Sequence, residues 1–388
     1  MFLFLLLLSL AYALFTTTLW ITWLRMPALR PPAHLSDGPL ITVIIPVRNE
    51  ENTIGQLLAD LSQQTYSRLD VIVADDSSTD NTRSVVEQYT LTANFPLRLL
   101  ALTNEQTASP KKRAISQSIA LAQGELIITT DGDCRVGPGW LASFAAFYQE
   151  SGAKLISGPV TFSAGPGQAR PGQVRPNRLE TSFFDALQTV EFSSLIGSGA
   201  CTLALGQPTM CNGANLCYEK RVFTEVGGFA GVDHLASGDD EFLMHKVARQ
   251  YPDGVRFLKS EAAIVSTEPH QSWRAFYNQR KRWASKWRAY DSYVPSLLAV
   301  FIFLCNASPI LALLGWWLGF LNGSMAGLVI ALKLLPEFLF LRQVLVFLQK
   351  RWAVKYIPLT QLVYPFYVLF FGLAAQGKGY QWKGRQLR

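Results

Sequence analysis

The chain has 388 residues, of which 49% are hydrophobic and 16% are charged, and its formal net charge is +7. An average soluble domain carries about 25% charged residues, so this composition argues against a disordered protein and against an ordinary cytosolic enzyme. The five cysteines form no CxxC pair, which disfavours a zinc site or a disulfide scaffold and favours reduced thiols.

The amino-terminal segment predicts a membrane anchor. Residues 1–23 are almost wholly apolar, which is long enough for a helix to span a bilayer. A cleaved signal peptide is the alternative, but no basic region precedes the apolar run. Because Arg25 and Arg30 follow the span, the positive-inside rule predicts that the next domain lies in the cytoplasm.

The segment after a short linker predicts an α/β domain. Short apolar, β-branched runs that indicate buried strands occur at residues 41–47, 70–74, 97–102 and 125–130. Segments with the apolar spacing of a helix lie between these runs. The first has an apolar face of Ile54, Leu57, Leu58 and Leu61, and Asp80 predicts the start of the next helix. This alternation indicates βαβ units and a mostly parallel sheet. The chain has no GxGxxG after the first strand and no GxxxxGK[ST], which disfavours a dinucleotide-binding fold and a P-loop.

Acidic pairs follow two of these strands. Asp75 and Asp76 end the second strand, and Asp131 and Asp133 follow the fourth. Ligands of parallel sheets bind at the carboxyl ends of strands. The Asp-Gly-Asp spacing suits Mg²⁺ or Mn²⁺ held largely through substrate phosphates, with an Asx turn as the alternative. Asp75 or Asp76 can accept hydrogen bonds from a nucleobase or ribose, with a simple turn as the alternative.

Two later motifs suggest parts of a site. Gly213 and Asn215 lie in a tight loop that can approach a ligand closely, or simply form an ordinary turn. Asp239 and Asp240 begin a predicted helix, where acidic residues are favourable for structural reasons alone. A carboxylate that is ionised at neutral pH is also a suitable general base for a hydroxyl nucleophile.

A basic and aromatic stretch at residues 273–290 predicts an interfacial helix. Interfacial binding does not explain Gln279, Arg282 and Trp283. An arginine can stabilise a departing diphosphate, and a tryptophan offers a stacking face for a sugar. Nucleic-acid binding is the other interpretation of such a stretch, and the adjacent membrane segments disfavour it.

The carboxy-terminal third predicts two further spans at residues 294–317 and 318–341, and a third, short candidate at 359–376. If the last segment crosses, the basic tail at 378–388 ends outside, against the positive-inside rule, so a re-entrant or interfacial segment is the alternative. Lys333 and Glu337 inside the second span are expected to face protein rather than lipid.

The ordered set of motifs resembles the membrane-bound branch of family 2 glycosyltransferases. The resemblance covers roughly residues 40–287 and is carried by residues 44–50, 74–80, 130–133, 213–215, 238–242 and 279–283. It implies a GT-A fold, a nucleotide-sugar donor, most often a UDP-sugar, and transfer with inversion at the anomeric carbon. The domains would be an anchor (1–24), a linker (25–40), the GT-A domain (41–268), an interfacial helix (269–292), a membrane region (293–377) and a basic tail (378–388).

The resemblance also implies roles for individual residues. Asp240, or Asp239 beside it, would be the catalytic base, and Arg282 would act on the diphosphate. Asp131 and Asp133 would form the DxD motif that binds a divalent metal, Mg²⁺ or Mn²⁺. The positions that match donor or acceptor contacts are Pro46, Arg48, Glu50, Asp75, Asp76, Lys111, Lys112, Gly213, Asn215, Gln279 and Trp283.

These residues predict an enzyme of the inner or plasma membrane with a cytoplasmic catalytic domain, which transfers a sugar to a lipid-like or glycan acceptor. A processive polysaccharide synthase is the alternative within the family. An inactive membrane scaffold that binds a nucleotide is the alternative of another class. No nucleic-acid partner is expected, and the sequence specifies no oligomeric state.

Overall fold

The computed structural model describes residues 1–32, 35, 37–103, 107–163, 183–284, 294–374, 380–382 and 385–387. Two compact units are present. The helical unit comprises Met1–Arg25, Ala164–Cys201 and Pro269–Lys378, and the α/β unit comprises Met26–Ser163, Thr202–Glu268 and Gly379–Arg388. Residues 285–293 of the predicted interfacial segment, and residues 378, 379, 383, 384 and 388 of the predicted tail, lie outside the described residues.

The α/β unit alternates strands and helices along the chain. Its strands are β1 (Ile41–Val47), β2 (Leu69–Asp75), β3 (Leu97–Ala101), β4 (Leu126–Thr129), β5 (Leu155–Ser157), β6 (Val160–Phe162), β7 (Leu216–Glu219), β8 (Val255–Phe257) and β9 (Val265–Thr267). Its helices are α2 (Ile54–Ser62), α3 (Thr82–Thr90), α4 (Pro110–Leu121), α5 (Trp140–Ser151), α7 (Lys220–Glu225) and α8 (Glu241–Gln250). A short hairpin of β10 (Tyr380–Trp382) and β11 (Arg385–Leu387) also belongs to this unit.

Seven strands form the main sheet in the order β3-β2-β1-β4-β7-β5-β8. The β2/β3, β1/β2, β1/β4 and β5/β8 pairs are parallel, whereas β7 runs antiparallel to both of its neighbours. The prediction of a mostly parallel α/β sheet is therefore confirmed. Buried parallel strands are apolar throughout rather than alternating, and β2 is buried along its whole length.

Strand register brings the predicted site loops to one edge of the sheet. Val47 of β1 pairs with Asp75 of β2, while Ile44 of β1 pairs with Thr129 of β4. Thr129 also pairs with Leu216, the first residue of the antiparallel strand β7. The carboxyl ends of β1, β2 and β4 and the amino end of β7 consequently share this edge, where ligands of such sheets bind.

The core of the α/β unit lies between this sheet and its helices. Ile54, Leu57, Leu58 and Leu61 of α2 are all buried, as their i, i+3, i+4, i+7 spacing predicts. The helix predicted to start at Asp80 has its N-cap at Asn81 and begins at Thr82. Asp80 still satisfies the helix start, because its carboxylate accepts a hydrogen bond from the Thr82 backbone N–H at 3.0 Å.

In the part of the chain that the structure describes, the helical unit contains five long apolar helices and the shorter, basic and aromatic helix α9. They are α1 (Phe2–Arg25), α6 (Phe183–Ala204), whose last three residues belong to the α/β unit, α9 (Trp273–Ala284), α10 (Val294–Trp317), α11 (Gly323–Phe347) and α12 (Ile357–Ala374). Four segments within the described residues are long and apolar enough to cross a membrane, namely Phe2–Arg25, Leu297–Trp317, Gly323–Phe347 and Arg351–Phe371. The third carboxy-terminal candidate is thus a continuous helix that includes most of the segment predicted at 359–376.

A buried ion pair lies inside α11. Lys333 Nζ and Glu337 Oε2 are 2.5 Å apart, and no surface of Lys333 is exposed. The Lys333 ammonium lies 5.6 Å from the centre of the Tyr12 ring of α1. Both charges therefore face protein, as expected for ionisable residues inside an apolar span.

Candidate active site

A lysine and two carboxylates form the centre of the predicted site in the α/β unit. Lys111 Nζ of α4 lies 2.8 Å from Asp131 Oδ1, after β4, and 3.3 Å from Asp239 Oδ2, just before α8. Solvent reaches all three side chains, which are 22%, 40% and 14% exposed, respectively. Three separate segments of the chain, a helix and two loops, thus contribute to one accessible charged cluster.

The electrostatic environment keeps Lys111 charged. Burial alone would lower the pKa of its ammonium, but the negative charges of Asp131 and Asp239 outweigh burial and hold the pKa above its usual value. The ammonium therefore remains protonated at neutral pH. It supplies a fixed positive charge next to the first carboxylate of the Asp-Gly-Asp motif.

Two backbone N–H groups hold the carboxylate of Asp240. As the N-cap of α8, its carboxylate accepts a hydrogen bond from the Glu241 N–H at 2.8 Å. Its other oxygen accepts from the Gly213 N–H at 3.0 Å. Hydrogen bonds to a carboxylate favour its ionised form. The sequence left capping and catalysis as alternatives for Asp240, and the geometry allows both.

Gly213, in the loop that contacts Asp240, lies close to both carboxylates. A Cβ at Gly213 would lie 3.1 Å from Asp239 Oδ2 and 3.4 Å from Asp240 Cβ, so a side chain there would push against both carboxylates. Thr129 at the end of β4 fixes this loop, because its hydroxyl donates to the Gly213 carbonyl at 2.9 Å. This loop therefore lies against the Asp239–Asp240 pair.

Asn215 fixes this loop to the interior of the protein. The residue has no exposed surface. Its carboxamide oxygen accepts from Trp140 Nε1 at 2.9 Å, and its nitrogen donates to the carbonyls of Pro159 and Ala263 at 2.8 and 2.9 Å. All of these bonds lie within the protein. Asn215 was predicted to contact substrate, whereas its position here is that of a buried loop support.

The two candidate lysines differ in environment. Lys112 is only 3% exposed, and its ammonium donates to the backbone carbonyls of Val232, Leu235 and Ser237 at 2.6–3.1 Å. These carbonyls precede the Asp239–Asp240 pair along the chain. Lys111 is accordingly the lysine of the charged cluster, and Lys112 holds the segment that leads to α8.

The second half of the Asp-Gly-Asp motif lies beside β9. Thr267 Oγ1 donates to Asp133 Oδ2 at 3.4 Å. A Cβ at Gly132 would lie 2.7 Å from Val47 Cγ1, so glycine allows the motif to pass close to the end of β1. Among the described residues no group of three His, Cys, Asp or Glu side chains converges on one point. Two carboxylates fit a magnesium-like ion that takes its remaining ligands from substrate phosphates and water.

The acids after β2 are buried and paired. Asp75 accepts from the Ser78 N–H at 3.2 Å and lies 3.3 Å from Arg83 Nη2. Asp76 lies 2.9 Å from Arg113 Nη2, and its backbone carbonyl accepts from Arg48. Arg48 thereby ties the loop after β1 to the loop after β2. Pro46 and Glu50 flank the same β1 end, and both are partly exposed.

Gln279, Arg282 and Trp283 form a Gln-x-x-Arg-Trp pattern, called the QxxRW motif below. They belong to α9 of the helical unit. Gln279, Arg282 and Trp283 are partly exposed, whereas Arg280 between them is buried. The side chains of Trp283 and Phe192 stack with their ring centres 6.1 Å apart. The three motif residues of α9 are therefore partly accessible to solvent, whereas Arg280 is buried.

Sequence reasoning missed several buried polar residues. In the helical unit these are Arg280 and Glu191, which form an ion pair, together with the partly exposed Tyr367, whose hydroxyl donates to Glu191. A signal was present, because a glutamate in the apolar run of α6 and an arginine four residues after Phe276 each require a buried partner. In the α/β unit the missed residue is Tyr218 of β7. Its buried hydroxyl has no hydrogen-bond partner among the described residues, and burial and the charge of Asp239 raise its pKa.

Comparisons with known proteins agree with this architecture. Two family models match the chain, "Glycosyl transferase family 2" over residues 42–205 and "Glycosyl transferase family group 2" over residues 126–375. The chain is 27% identical to glycosyltransferase AglE of Haloferax volcanii over 207 residues, which are 53% of this chain and 60% of that protein.

A second relative is the UDP-Glc:alpha-D-GlcNAc-diphosphoundecaprenol beta-1,3-glucosyltransferase WfgD of Escherichia coli. It is 33% identical over 97 residues, which are 25% of this chain and 36% of that protein. The chain thus spans less than two thirds of the length of both relatives.

Among solved structures, the mannosyltransferase PcManGT of Pyrobaculum calidifontis, in complex with GDP-Man and Mn²⁺, superposes with a TM-score of 0.53 at 19% identity. The match covers 92% of this chain and 99% of that one. At this identity the likeness concerns the fold. The α/β unit has the GT-A fold that the sequence motifs implied.

Proposed function

Because the chain belongs to glycosyl transferase family group 2, we propose that it is an inverting transferase that acts at a membrane. It would move a sugar from a nucleotide-sugar donor, a UDP-sugar, to a lipid-like or glycan acceptor. The carrying observation is the accessible cluster of Lys111, Asp131 and Asp239 beside the backbone-held carboxylate of Asp240, at the ligand-binding edge of a GT-A sheet.

Asp240 is the proposed general base. Asp239 forms the ion pair with Lys111 at 3.3 Å, whereas two backbone N–H groups hold the carboxylate of Asp240 next to it. In the proposed reaction Asp240 accepts the proton of an acceptor hydroxyl. The hydroxyl oxygen forms a bond to the anomeric carbon, and the bond from that carbon to the diphosphate oxygen breaks. The electron pair of that bond leaves with the nucleoside diphosphate. Because the hydroxyl attacks the face of the anomeric carbon opposite the leaving group, the configuration inverts.

Asp131 and Asp133 would hold a divalent metal. When bound, such an ion neutralises charge on the donor diphosphate. Lys111 adds a fixed positive charge next to Asp131, and Arg282 on α9 is the proposed second cation for the leaving group. Gln279 and Trp283 would contact donor diphosphate and acceptor.

The loops after β1 and β2 are the proposed base-binding region. Pro46, Arg48 and Glu50 would line the nucleobase, next to Asp75 and Asp76. Arg48 joins the two loops through the Asp76 and Ser77 carbonyls, which supports a preformed pocket wall. Gly213 would allow a ligand to approach the backbone.

The membrane assignment rests on the four apolar helices. Arg25 at the end of α1 and Arg30 beyond it support an orientation with the catalytic unit in the cytoplasm, at the inner or plasma membrane. The name of WfgD, which specifies a diphosphoundecaprenol acceptor, supports a lipid-linked acceptor for this chain. The proposed functional segments end at residues 24, 40, 268, 292 and 377, and they differ from the two compact units, in which residues 164–201 belong to the helical unit.

The test is nucleoside-diphosphate release by purified full-length protein in lipid nanodiscs, with a panel of nucleotide sugars, Mg²⁺ or Mn²⁺, and a bacterial lipid extract as acceptor. We expect release with one donor and a labelled product that is soluble in organic solvent. Asp240→Asn should abolish release, whereas Glu87→Gln, on the exposed face of α3, should not. A long water-soluble polymer would instead favour a processive synthase. Nucleotide binding without turnover would favour an inactive scaffold.

A further inference from the structure

A buried ionic cluster joins three helices of the helical unit. Arg280 of α9 faces Glu191 of α6, with Nε 2.9 Å from Oε1, and its Nη2 donates to Oε2 of the same carboxylate. Tyr367 of α12 donates to Glu191 Oε1 at 2.9 Å. The two charged side chains are only 4% and 3% exposed. We call Glu191, Arg280 and Tyr367 the α9 clamp.

Aromatic rings complete the surroundings of the guanidinium. Its central carbon lies 4.6 Å from the centre of the Phe276 ring and 4.3 Å from the centre of the Trp283 ring. Both rings belong to α9, one turn before and one turn after Arg280. Cation–π contacts of this kind are strongest where the charge is desolvated. The guanidinium plane is consequently fixed from two sides and along its edge.

The α9 clamp extends to the neighbouring residue Gln279. Arg280 Nη1 donates to Gln279 Oε1, so the buried guanidinium holds the carboxamide oxygen. Gln279 itself is partly exposed. A buried arginine therefore orients a side chain that solvent and substrate can reach. A planar fork with five donors can do this while it also binds a carboxylate with two parallel bonds.

A purely structural ion pair does not require this arrangement. Removal of one partner of a buried pair is costly, yet replacement of the whole pair by apolar residues of similar volume is often neutral or stabilising. A pair that served only to join α6, α9 and α12 would be replaceable in this way. Its extension to Gln279 is the observation that indicates a further role.

We propose that Glu191 and Tyr367 are positioning residues for sugar transfer, which act through Arg280 to orient Gln279 on α9. The proposal rests on the proposed function, in which Gln279 contacts donor diphosphate and acceptor. Loss of the α9 clamp would leave the fold and donor binding intact and would lower the rate of transfer. The effect would therefore fall on kcat rather than on the donor KM.

The decisive variant removes every polar group of the α9 clamp at once, as Glu191→Leu/Arg280→Met/Tyr367→Phe. This triple change leaves no buried charge or hydroxyl without a partner, so the protein should fold with a Tm close to that of the native chain. We expect kcat to fall at least 10-fold with the donor KM within 2-fold. The single change Tyr367→Phe, which removes one hydrogen bond, should lower kcat about 2–5-fold.

The matched control is the buried pair of α11. Tyr12→Phe/Lys333→Met/Glu337→Leu removes an ion pair and its neighbouring hydroxyl from the same unit, and none of these three side chains belongs to α9. We expect native kcat and KM from this variant. Equal losses in the two triple variants, or unchanged kcat in the α9 clamp variant, would overturn the proposal.

Amide hydrogen exchange separates this proposal from the proposed function. In the α9 clamp variant, amide protection of residues 279–283 should fall about 10-fold while that of α11 is unchanged. If the native chain turns over no donor, the proposed function fails, and the exchange comparison alone decides whether the α9 clamp holds the helix. Unchanged protection of residues 279–283 would then overturn positioning.

Discussion

The two charged clusters of this chain differ in how far solvent can reach them. In the α/β unit the side chain of Asp131 is 40% exposed and that of Lys111 is 22% exposed. In the helical unit Arg280 and Glu191 are 4% and 3% exposed. Both clusters contain close ion pairs, but only the first keeps charges that a substrate can contact directly.

In the proposed function, the accessible residues contact substrate, whereas the buried residues fix the position of a helix. A partly exposed ion pair gains little stability, so the cluster around Lys111 contributes little to folding and remains available for exchange with a ligand. A buried pair is costly to break, so the α9 clamp is suited to fixing a helix. Substitutions in the accessible cluster are therefore expected to change activity. Substitutions of buried groups are expected to change stability or the orientation of a neighbouring side chain.

The largest effect is expected in the accessible cluster at Asp240. Asp240→Asn keeps a side chain that can accept the Gly213 hydrogen bond but removes the base, so transfer should fall about 10²–10⁴-fold. The test measures the initial transfer rate and the Kd for UDP on the same preparation of the variant. The transfer rate should fall, and the Kd for UDP should stay at the native value. Asp239→Asn is the control and should lose less, since the proposal assigns the proton to Asp240 and the ion pair with Lys111 to Asp239. An equal or greater loss at Asp239 would reverse the assignment.

Metal removal should have the next largest effect. Because Asp131 and Asp133 form no complete site without phosphate ligands, the ion should be weakly held, and EDTA should reduce transfer about 100-fold or more. Addition of Mn²⁺ or Mg²⁺ should restore the rate. Asp133→Asn should raise the metal concentration needed for half-maximal activity. A rate that persists at full strength in EDTA would argue against a metal at these carboxylates.

A smaller effect, on stability, is expected at the buried loop support. Asn215→Ala leaves the Trp140 N–H and two carbonyls without their partner, and should lower the free energy of unfolding by about 2 kcal/mol. Denaturant titration of the detergent-solubilised protein would measure it. The exposed Asn94, which makes one bond to the Ser62 carbonyl, is the matched control. Asn94→Ala should cost at most about 0.5 kcal/mol.

The smallest effect is a pH dependence in the same buried core. Burial raises the pKa of Tyr66 to about 12, and its hydroxyl donates to the Pro39 carbonyl at 2.6 Å. A raised pKa means that the native state retains the proton longer than the unfolded state, so this stability is present below pH 10 and lost as the pH rises towards 12. Tyr66→Phe should flatten the fall in Tm over that range. Tyr89→Phe, which loses a hydroxyl contact to Ser62, should leave it unchanged.

Much of the α/β unit was predictable because its signals are local. The run at residues 41–47 contains β-branched residues and lies in a buried strand, and the spacing of Ile54, Leu57, Leu58 and Leu61 gave the buried face of α2. The start of α3 was displaced from Asp80 to Thr82. Helix ends depend on a few hydrogen bonds, which single residues shift easily.

The site was only partly predictable. Sequence motifs identified Asp131, Asp239 and Asp240, since acids at strand and helix ends are visible in the chain itself. They could not separate Lys111 from Lys112, because adjacent positions on a helix point in different directions and only packing decides which one meets a carboxylate. Nor could they show that Asn215 is fully buried, since Trp140 and Ala263, which surround it, are distant in sequence.

The sequence by itself determined which segments are long and apolar enough to cross a membrane, the alternation of strands and helices, and the identity of the acids at the strand ends. These properties follow from composition and short-range periodicity. Only the tertiary structure decided which charges pair, Lys111 with Asp131 and Asp239 in one unit and Arg280 with Glu191 in the other. Ion pairs form between residues up to 128 positions apart in this set, and their geometry is set by the packing of whole elements rather than by neighbouring residues.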